Sequence, residues 1–144
     1  MIFKTVIVTI PLIIGSMIYI GWRPESTLMF FWFDRVGLLE LIMQLRELLS
    51  YYTIPDWLLY WGPNGLWTLS FTAIMGFIWF TDEPKLGKLW LLVPIIFGIT
   101  IELGQLMNIL PGTFCYGDLI AHGIGAFTAF IILKISFLRG RSTC

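Results

Sequence analysis

Apolar residues dominate the chain in runs that are long enough to cross a lipid bilayer. A membrane-spanning helix needs about 20 mainly apolar residues, and four stretches approach or reach that length: residues 3–21, 63–80, 88–108 and 118–138. Tryptophans cluster at the ends of these runs, where amphipathic rings favour the headgroup region. The pattern predicts an all-α membrane protein with about four transmembrane helices. We interpret the first run, which contains Pro11, as an uncleaved anchor.

A less regular segment, residues 33–52, connects the first two runs. Its apolar residues alternate with Glu40, Gln44 and Glu47 at helical spacing. A charged residue at the bilayer centre costs up to about 3 kcal/mol on insertion scales, so we expect an amphipathic helix that lies on the membrane surface. A re-entrant hairpin is the alternative. The following Gly62-Pro63-Asn64-Gly65 is typical of a turn.

Composition agrees with a membrane location. The 144 residues are 58% hydrophobic and only 12% charged, whereas soluble proteins are about 25% charged. Nine basic and nine acidic residues give no net charge, so we expect membrane lipids and no nucleic acid as partners. We expect one polytopic domain, residues 1–144.

The distribution of basic residues predicts the orientation. Lysine and arginine accumulate on the cytoplasmic side of membrane proteins. Six of the nine basic residues lie on one side of the predicted spans, namely Lys4, Lys85, Lys88, Lys134, Arg139 and Arg141, and three lie on the other, namely Arg23, Arg35 and Arg46. Both termini are therefore predicted to be cytoplasmic, with residues 109–117 facing outside.

The last two predicted spans carry ionisable residues. Glu102 and Gln105 share one face of the third span, and Asp118 and His122 share one face of the fourth. A short connection makes these spans antiparallel neighbours, with Glu102 ~9 Å and His122 ~7.5 Å below their outer ends. Because a carboxylate at that depth is costly in lipid, we expect the four side chains to line a polar pocket.

Small residues lie beside this candidate pocket. Gly98 is one turn from Glu102 on the same face, while Ala121, Gly125 and Ala129 form a small-xxx-small row on the fourth span. Such a row allows the backbone of a neighbouring helix to approach closely, so we expect these four residues to pack helices together.

Other interpretations of the polar residues stay open. Asp118 is also suited to capping the fourth span, and Glu102 with His122 to an interhelical pair that holds the helices together. Cys115, Asp118 and His122 would suit a cysteine hydrolase, and Glu102 with His122 a proton-relaying transporter. We expect no metal and no cofactor, because the chain has a single histidine and no thiolate cluster for a metal site.

Three segments, residues 101–105 (IELGQ), 110–112 (LPG) and 117–126 (GDLIAHGIGA), resemble the VanZ-like family of small bacterial membrane proteins. That family typically shows Glu-x-x-Gln, a Pro-Gly-Arg-like turn and Asp-x-x-x-Asn-x-x-Gly. This chain departs from the pattern at Thr113, where the family has arginine, and at His122, where it has asparagine. The resemblance implies that the protein lies in the bacterial inner membrane and that it is linked to glycopeptide (teicoplanin) resistance.

These observations favour a non-enzymatic membrane protein. We expect its outer-leaflet pocket of Glu102, Gln105, Asp118 and His122 to bind a polar envelope molecule or a lipid head group. A lipid-linked molecule or a glycopeptide would be the ligand, and a homo-oligomer is compatible with the sequence. The alternatives are a membrane enzyme acting on a lipid-linked or peptide substrate and a small proton-coupled transporter or accessory subunit.

Overall fold

The computed structural model describes residues 2–79, 88–110 and 112–141. In these residues the chain is helical and without strands, which confirms the predicted all-α class for this part. The six helices are α1 Ile2–Trp22, α2 Leu28–Arg35, α3 Leu39–Leu49, α4 Asp56–Trp79, α5 Val93–Leu106 and α6 Tyr116–Arg141. The end of the second predicted span at residue 80, together with Lys85, Pro111 and Cys144, lies outside the described residues.

Three helical segments are long and apolar enough to cross a membrane: Phe3–Trp22, Lys88–Leu106 and Tyr116–Phe137. They correspond to the first, third and fourth predicted spans, and the second of them includes the helical turn before α5. The second predicted span falls in α4, which is long enough at 24 residues but is not among the three. Polar and small residues such as Asn64, Thr68 and Ser70 interrupt its apolar sequence.

Helix α4 lies at the centre of the bundle and contacts α1, α5 and α6. Against α1 it runs antiparallel, because Lys4 near the start of α1 lies over the Phe77 ring, 5.3 Å from its centroid. Near the other end of α1, the Tyr19 and Trp67 rings lie 5.4 Å apart. Most of the buried residues of α4 are small or hydroxylated, so its neighbours approach closely.

Helix α6 runs parallel to α4, because contacts between the two advance in the same direction along both helices. Near their first halves, the Gly65 carbonyl faces Gly125, and near their second halves Gly76 lies against Leu133. A methyl group at Gly125 would clash with the Gly65 carbonyl oxygen. The predicted small-residue row on α6 therefore packs against α4, with Ala129 fully buried.

The turn expected at Gly62-Pro63-Asn64-Gly65 is wrong, because these residues lie inside α4. Pro63 removes one backbone hydrogen bond, yet its side chain is fully buried in the bundle. The glycines bring α1 and α6 close to this part of α4. Helices in a bilayer tolerate such residues because packing against neighbouring helices compensates for the lost hydrogen bond.

The single helix expected over residues 33–52 is also wrong, since the structure has two helices, α2 and α3. Gly37, between them, has a φ of 72°, a left-handed conformation that glycine adopts without strain and that ends a helix. Glu40, Gln44 and Glu47 are exposed along α3, as expected for a water-facing surface.

Arg46 of α3 attaches this helical pair to the end of α1. Its Nη1 donates hydrogen bonds to the carbonyl oxygens of Ile20, at 2.9 Å, and Arg23, at 2.7 Å. Its Nε lies 3.6 Å from a Glu25 carboxylate oxygen. The last carbonyl groups of a helix have no partner within the helix and carry partial negative charge, which a guanidinium neutralises.

The contact of Gly125 with the α4 backbone predicts that Gly125→Ala lowers the free energy of unfolding by about 1–3 kcal/mol, because backbone atoms cannot move aside easily. Gly123 is the matched control on the same helix, since nothing lies within 4 Å of a methyl group built there. Gly123→Ala should be neutral or stabilising by up to about 1 kcal/mol, because alanine favours helix more than glycine does. Equilibrium unfolding in detergent measures both, and equal effects would contradict the packing.

Candidate functional site

Glu102 is the most deeply buried acidic residue of the candidate site. It lies near the end of α5 with 3% of its surface exposed. Its Oε2 accepts a hydrogen bond of 3.1 Å from the backbone N–H of Cys115, the residue before α6. The first N–H groups of a helix have no partner within the helix. Glu102 therefore caps α6 from a neighbouring helix and ties the antiparallel pair together.

Asp118 lies opposite Glu102, in the first turn of α6. The two carboxyl groups lie within hydrogen-bonding reach of each other. Asp118 is 8% exposed, and its buried Oδ1 has no hydrogen-bond partner. Two carboxylates at such a separation repel each other unless a proton or a cation lies between them. The N-terminal end of α6 offsets part of this negative charge.

No basic side chain neutralises this carboxyl pair within the described part of the chain. The one ion pair found there joins Arg46 of α3 and Glu25, which lies in the turn after α1. Buried charges in proteins are normally paired, since an isolated charge is expensive to remove from water. The carboxyl pair is thus a negative centre without a cationic partner from these residues.

His122 lies one turn further along α6 than Asp118 and contacts α4. Its Nδ1 is 2.6 Å from the hydroxyl oxygen of Thr68. That hydroxyl donates its only proton to the Asn64 carbonyl oxygen at 2.8 Å. With this proton on Asn64, Thr68 accepts a hydrogen bond from Nδ1–H of the neutral ring and Nε2 is an acceptor; with the proton directed to Nδ1, the ring carries its own proton on Nε2.

Gly98 provides the surface on which this imidazole lies. A methyl group at Gly98 would come within 2.6 to 2.7 Å of three ring atoms of His122. The ring is therefore held between Gly98 of α5 and Thr68 of α4, and it lies within electrostatic range of Asp118. Gly98 of α5 thus packs directly against His122 of α6, a residue of the candidate site.

Gln105 is the one predicted pocket residue that the structure does not bring to the carboxyl pair. Its amide lies against Gly112, where a methyl group would be 2.5 Å from Nε2 of Gln105. Gly112 has a φ of 129°, in a region that glycine adopts readily. The structure thus assembles Glu102, Asp118 and His122, while Gln105 supports the connection between α5 and α6.

Two functional groups were missed from the sequence: Thr68 and the Cys115 backbone N–H. Asn64, Thr68 and Thr72 recur at intervals of four in α4, which is a signal for one polar helix face. This spacing did not reveal which neighbouring helix the polar face of α4 would contact. The hydrogen bond from the Cys115 N–H to Glu102 could not be predicted from the identity of residue 115, because any residue except proline supplies a backbone N–H.

The geometry restricts the chemistry available. In the described ranges, no three His, Cys, Asp or Glu side chains come together as metal ligands. Cys115 is a half-buried free thiol, and its hydrogen bond to the site comes from its backbone. What the site offers is a pair of buried carboxyl groups, those of Glu102 and Asp118, with the half-buried imidazole of His122 one turn away on α6.

Comparison of the chain with protein-family models, with curated proteins and with solved structures finds no match. The resemblance to the VanZ-like family therefore stays a hypothesis based on the residues quoted above.

The contact between Gly98 and His122 predicts that Gly98→Ala lowers the free energy of unfolding by about 1 to 2 kcal/mol, because the added methyl group displaces the ring. In a His122→Ala background the ring is gone, so the same substitution should cost less. A double-mutant cycle in detergent measures the difference, expected to be about 1 kcal/mol. Additive costs would show that Gly98 and His122 do not interact.

Proposed function

We propose that the chain is a four-span protein of the bacterial inner membrane with both termini in the cytoplasm. Three apolar helices support a multi-pass membrane protein, and the central position of α4 explains how a less apolar helix crosses with them. Its polar residues Thr68, Ser70 and Thr72 are buried against neighbouring helices instead of facing lipid. The α2–α3 pair would lie on the outer membrane surface, with Glu40 and Glu47 facing water.

We further propose that the carboxyl pair binds a cationic, hydrogen-bond-donating group of an envelope molecule or lipid head group. The observation that carries this function is the buried Oδ1 of Asp118, which has no hydrogen-bond partner, in a carboxyl group that lies within hydrogen-bonding reach of Glu102. A donor placed there would satisfy Oδ1 and relieve the repulsion between the two carboxylates. Binding of this kind would explain why a membrane helix pair keeps two buried acids.

This proposal offers a physical basis for the link to glycopeptide resistance that the resemblance to the VanZ-like family implies. Glycopeptide antibiotics act on lipid-linked molecules at the outer surface, and the predicted orientation puts Glu102 and Asp118 on that side of the membrane. A protein that retains such a molecule, or a lipid beside it, would change glycopeptide susceptibility without catalysing a reaction.

The proposed orientation predicts which residues an impermeant reagent can reach. In a background with Cys115→Ser and Cys144→Ser, Tyr116→Cys, at a position that is 75% exposed, should react with a charged maleimide added to intact cells. Lys88→Cys is the control, because residue 88 lies just before α5 on the predicted cytoplasmic side. It should react only after the cells are permeabilised. The reverse pattern would invert the orientation.

Asp118→Asn tests the binding function. The amide donates a hydrogen bond to Glu102 and removes the repulsion, so the free energy of unfolding should rise by about 1 kcal/mol, whereas binding of a cationic ligand should be lost. Native mass spectrometry of the purified protein measures the bound molecules, and glycopeptide susceptibility is compared at equal membrane abundance. Glu102→Gln should also lose binding, although it weakens the cap of α6.

Glu40→Gln is the matched control, because it neutralises an exposed carboxylate on α3. It should change neither the bound molecules nor the susceptibility. If Asp118→Asn behaves like this control, the carboxyl pair has no role in binding. A loss of stability in Asp118→Asn would instead indicate a purely structural role.

A further inference from the structure

Three polar hydrogens at the site already have partners within the protein. The Cys115 N–H binds Glu102, the Thr68 hydroxyl binds the Asn64 carbonyl, and Nδ1–H of His122 binds Thr68. Oδ1 of Asp118 is buried without a hydrogen-bond partner, and the Nδ1–H tautomer of His122 would add the lone pair on Nε2 as a second acceptor. An anionic ligand such as a phosphate would be repelled by the two carboxylates.

Thr68 is the residue that controls which ring nitrogen of His122 can accept a hydrogen bond. When its hydroxyl proton is bonded to the Asn64 carbonyl oxygen, Thr68 can only accept from His122, and the imidazole is then held as the Nδ1–H tautomer. Gly98 holds the ring flat on α5, one turn below Glu102. Thr68 thus acts as a positioning residue, because it presents Nε2 as an acceptor on the same face of α6 as Asp118.

We propose that the site selects a primary ammonium group, an inference that rests on the binding function proposed above. Such a group carries a positive charge and three N–H donors, which match the carboxyl groups of Glu102 and Asp118 and Nε2 of His122. A quaternary ammonium group carries the same charge but no N–H donor, so it leaves the buried acceptors unsatisfied. Sites built to hydrogen-bond a ligand reject analogues that lack the donor.

Lipid retention tests this selectivity. The purified protein is exchanged into mixed micelles with equal amounts of phosphatidylethanolamine and phosphatidylcholine of identical acyl chains, and native mass spectrometry measures the bound lipid. We expect phosphatidylethanolamine to be retained about tenfold or more over phosphatidylcholine. Asp118→Asn should abolish the preference, and Glu40→Gln should leave it intact.

The outcomes separate the two proposals. Equal retention of both lipids, with both lost in Asp118→Asn, would overturn the selectivity and leave the binding function standing. Retention that Asp118→Asn does not change for either lipid would overturn both. Soluble phosphoethanolamine distinguishes the sources of the ammonium group. If it displaces the bound phosphatidylethanolamine, a free amine is sufficient for binding. If it does not displace the lipid, and the preference for phosphatidylethanolamine is still observed, the ligand is the lipid. Each of these last two results supports the primary ammonium group.

The role of Thr68 has an independent readout, because the chain contains a single histidine. Labelling with ¹⁵N-histidine gives NMR signals from His122 alone, and the shifts of the two ring nitrogens report which one carries the proton. We expect the Nδ1–H tautomer in the wild type and in Thr68→Ser, which keeps the hydroxyl. Thr68→Val should shift the proton towards Nε2 and reduce the lipid preference. An Nε2–H tautomer in the folded wild type would overturn the assignment.

Discussion

The close approach of α4 and α6 at Gly65 and Gly125 is the contact on which the site depends. Without side chains at these two positions, the backbones come near enough for Thr68 of α4 to reach His122 of α6. In a bilayer, packing at such contacts holds helices together, because lipid provides no hydrophobic force between them. The same contact buries Thr68, a polar residue of α4.

The second constraint is the free-energy cost of burying the carboxyl groups of Glu102 and Asp118. Glu102 recovers part of this cost by capping α6 through the Cys115 N–H, and Asp118 gains from the N-terminal end of the same helix. Neither contact provides a counter-charge, so the repulsion between the carboxyl groups persists until a proton or a cation joins them. The same two residues thus help to position α6 and form a negative centre.

The α2–α3 pair is held by a different set of contacts. Arg46 joins α3 to the last carbonyl groups of α1, and its guanidinium also lies over the Phe30 ring, 5.3 Å from the centroid. Phe30 is almost fully buried. This arrangement anchors a charged and aromatic segment at the end of the bundle, on the same side as the start of α6.

The sequence by itself determined the helical class and three helices that are long and apolar enough to cross a membrane, because these follow from apolar run length. Helical spacing also placed Asp118 and His122 on one face of α6. Only the tertiary structure decided that Pro63 lies inside a helix, that Gly37 divides residues 33–52, and that α6 packs on α4. Local turn signals at residues 62–65 were overridden by burial. The tautomer of His122 depends on Thr68, which is remote in sequence and adjacent only through the packing of α4 against α6.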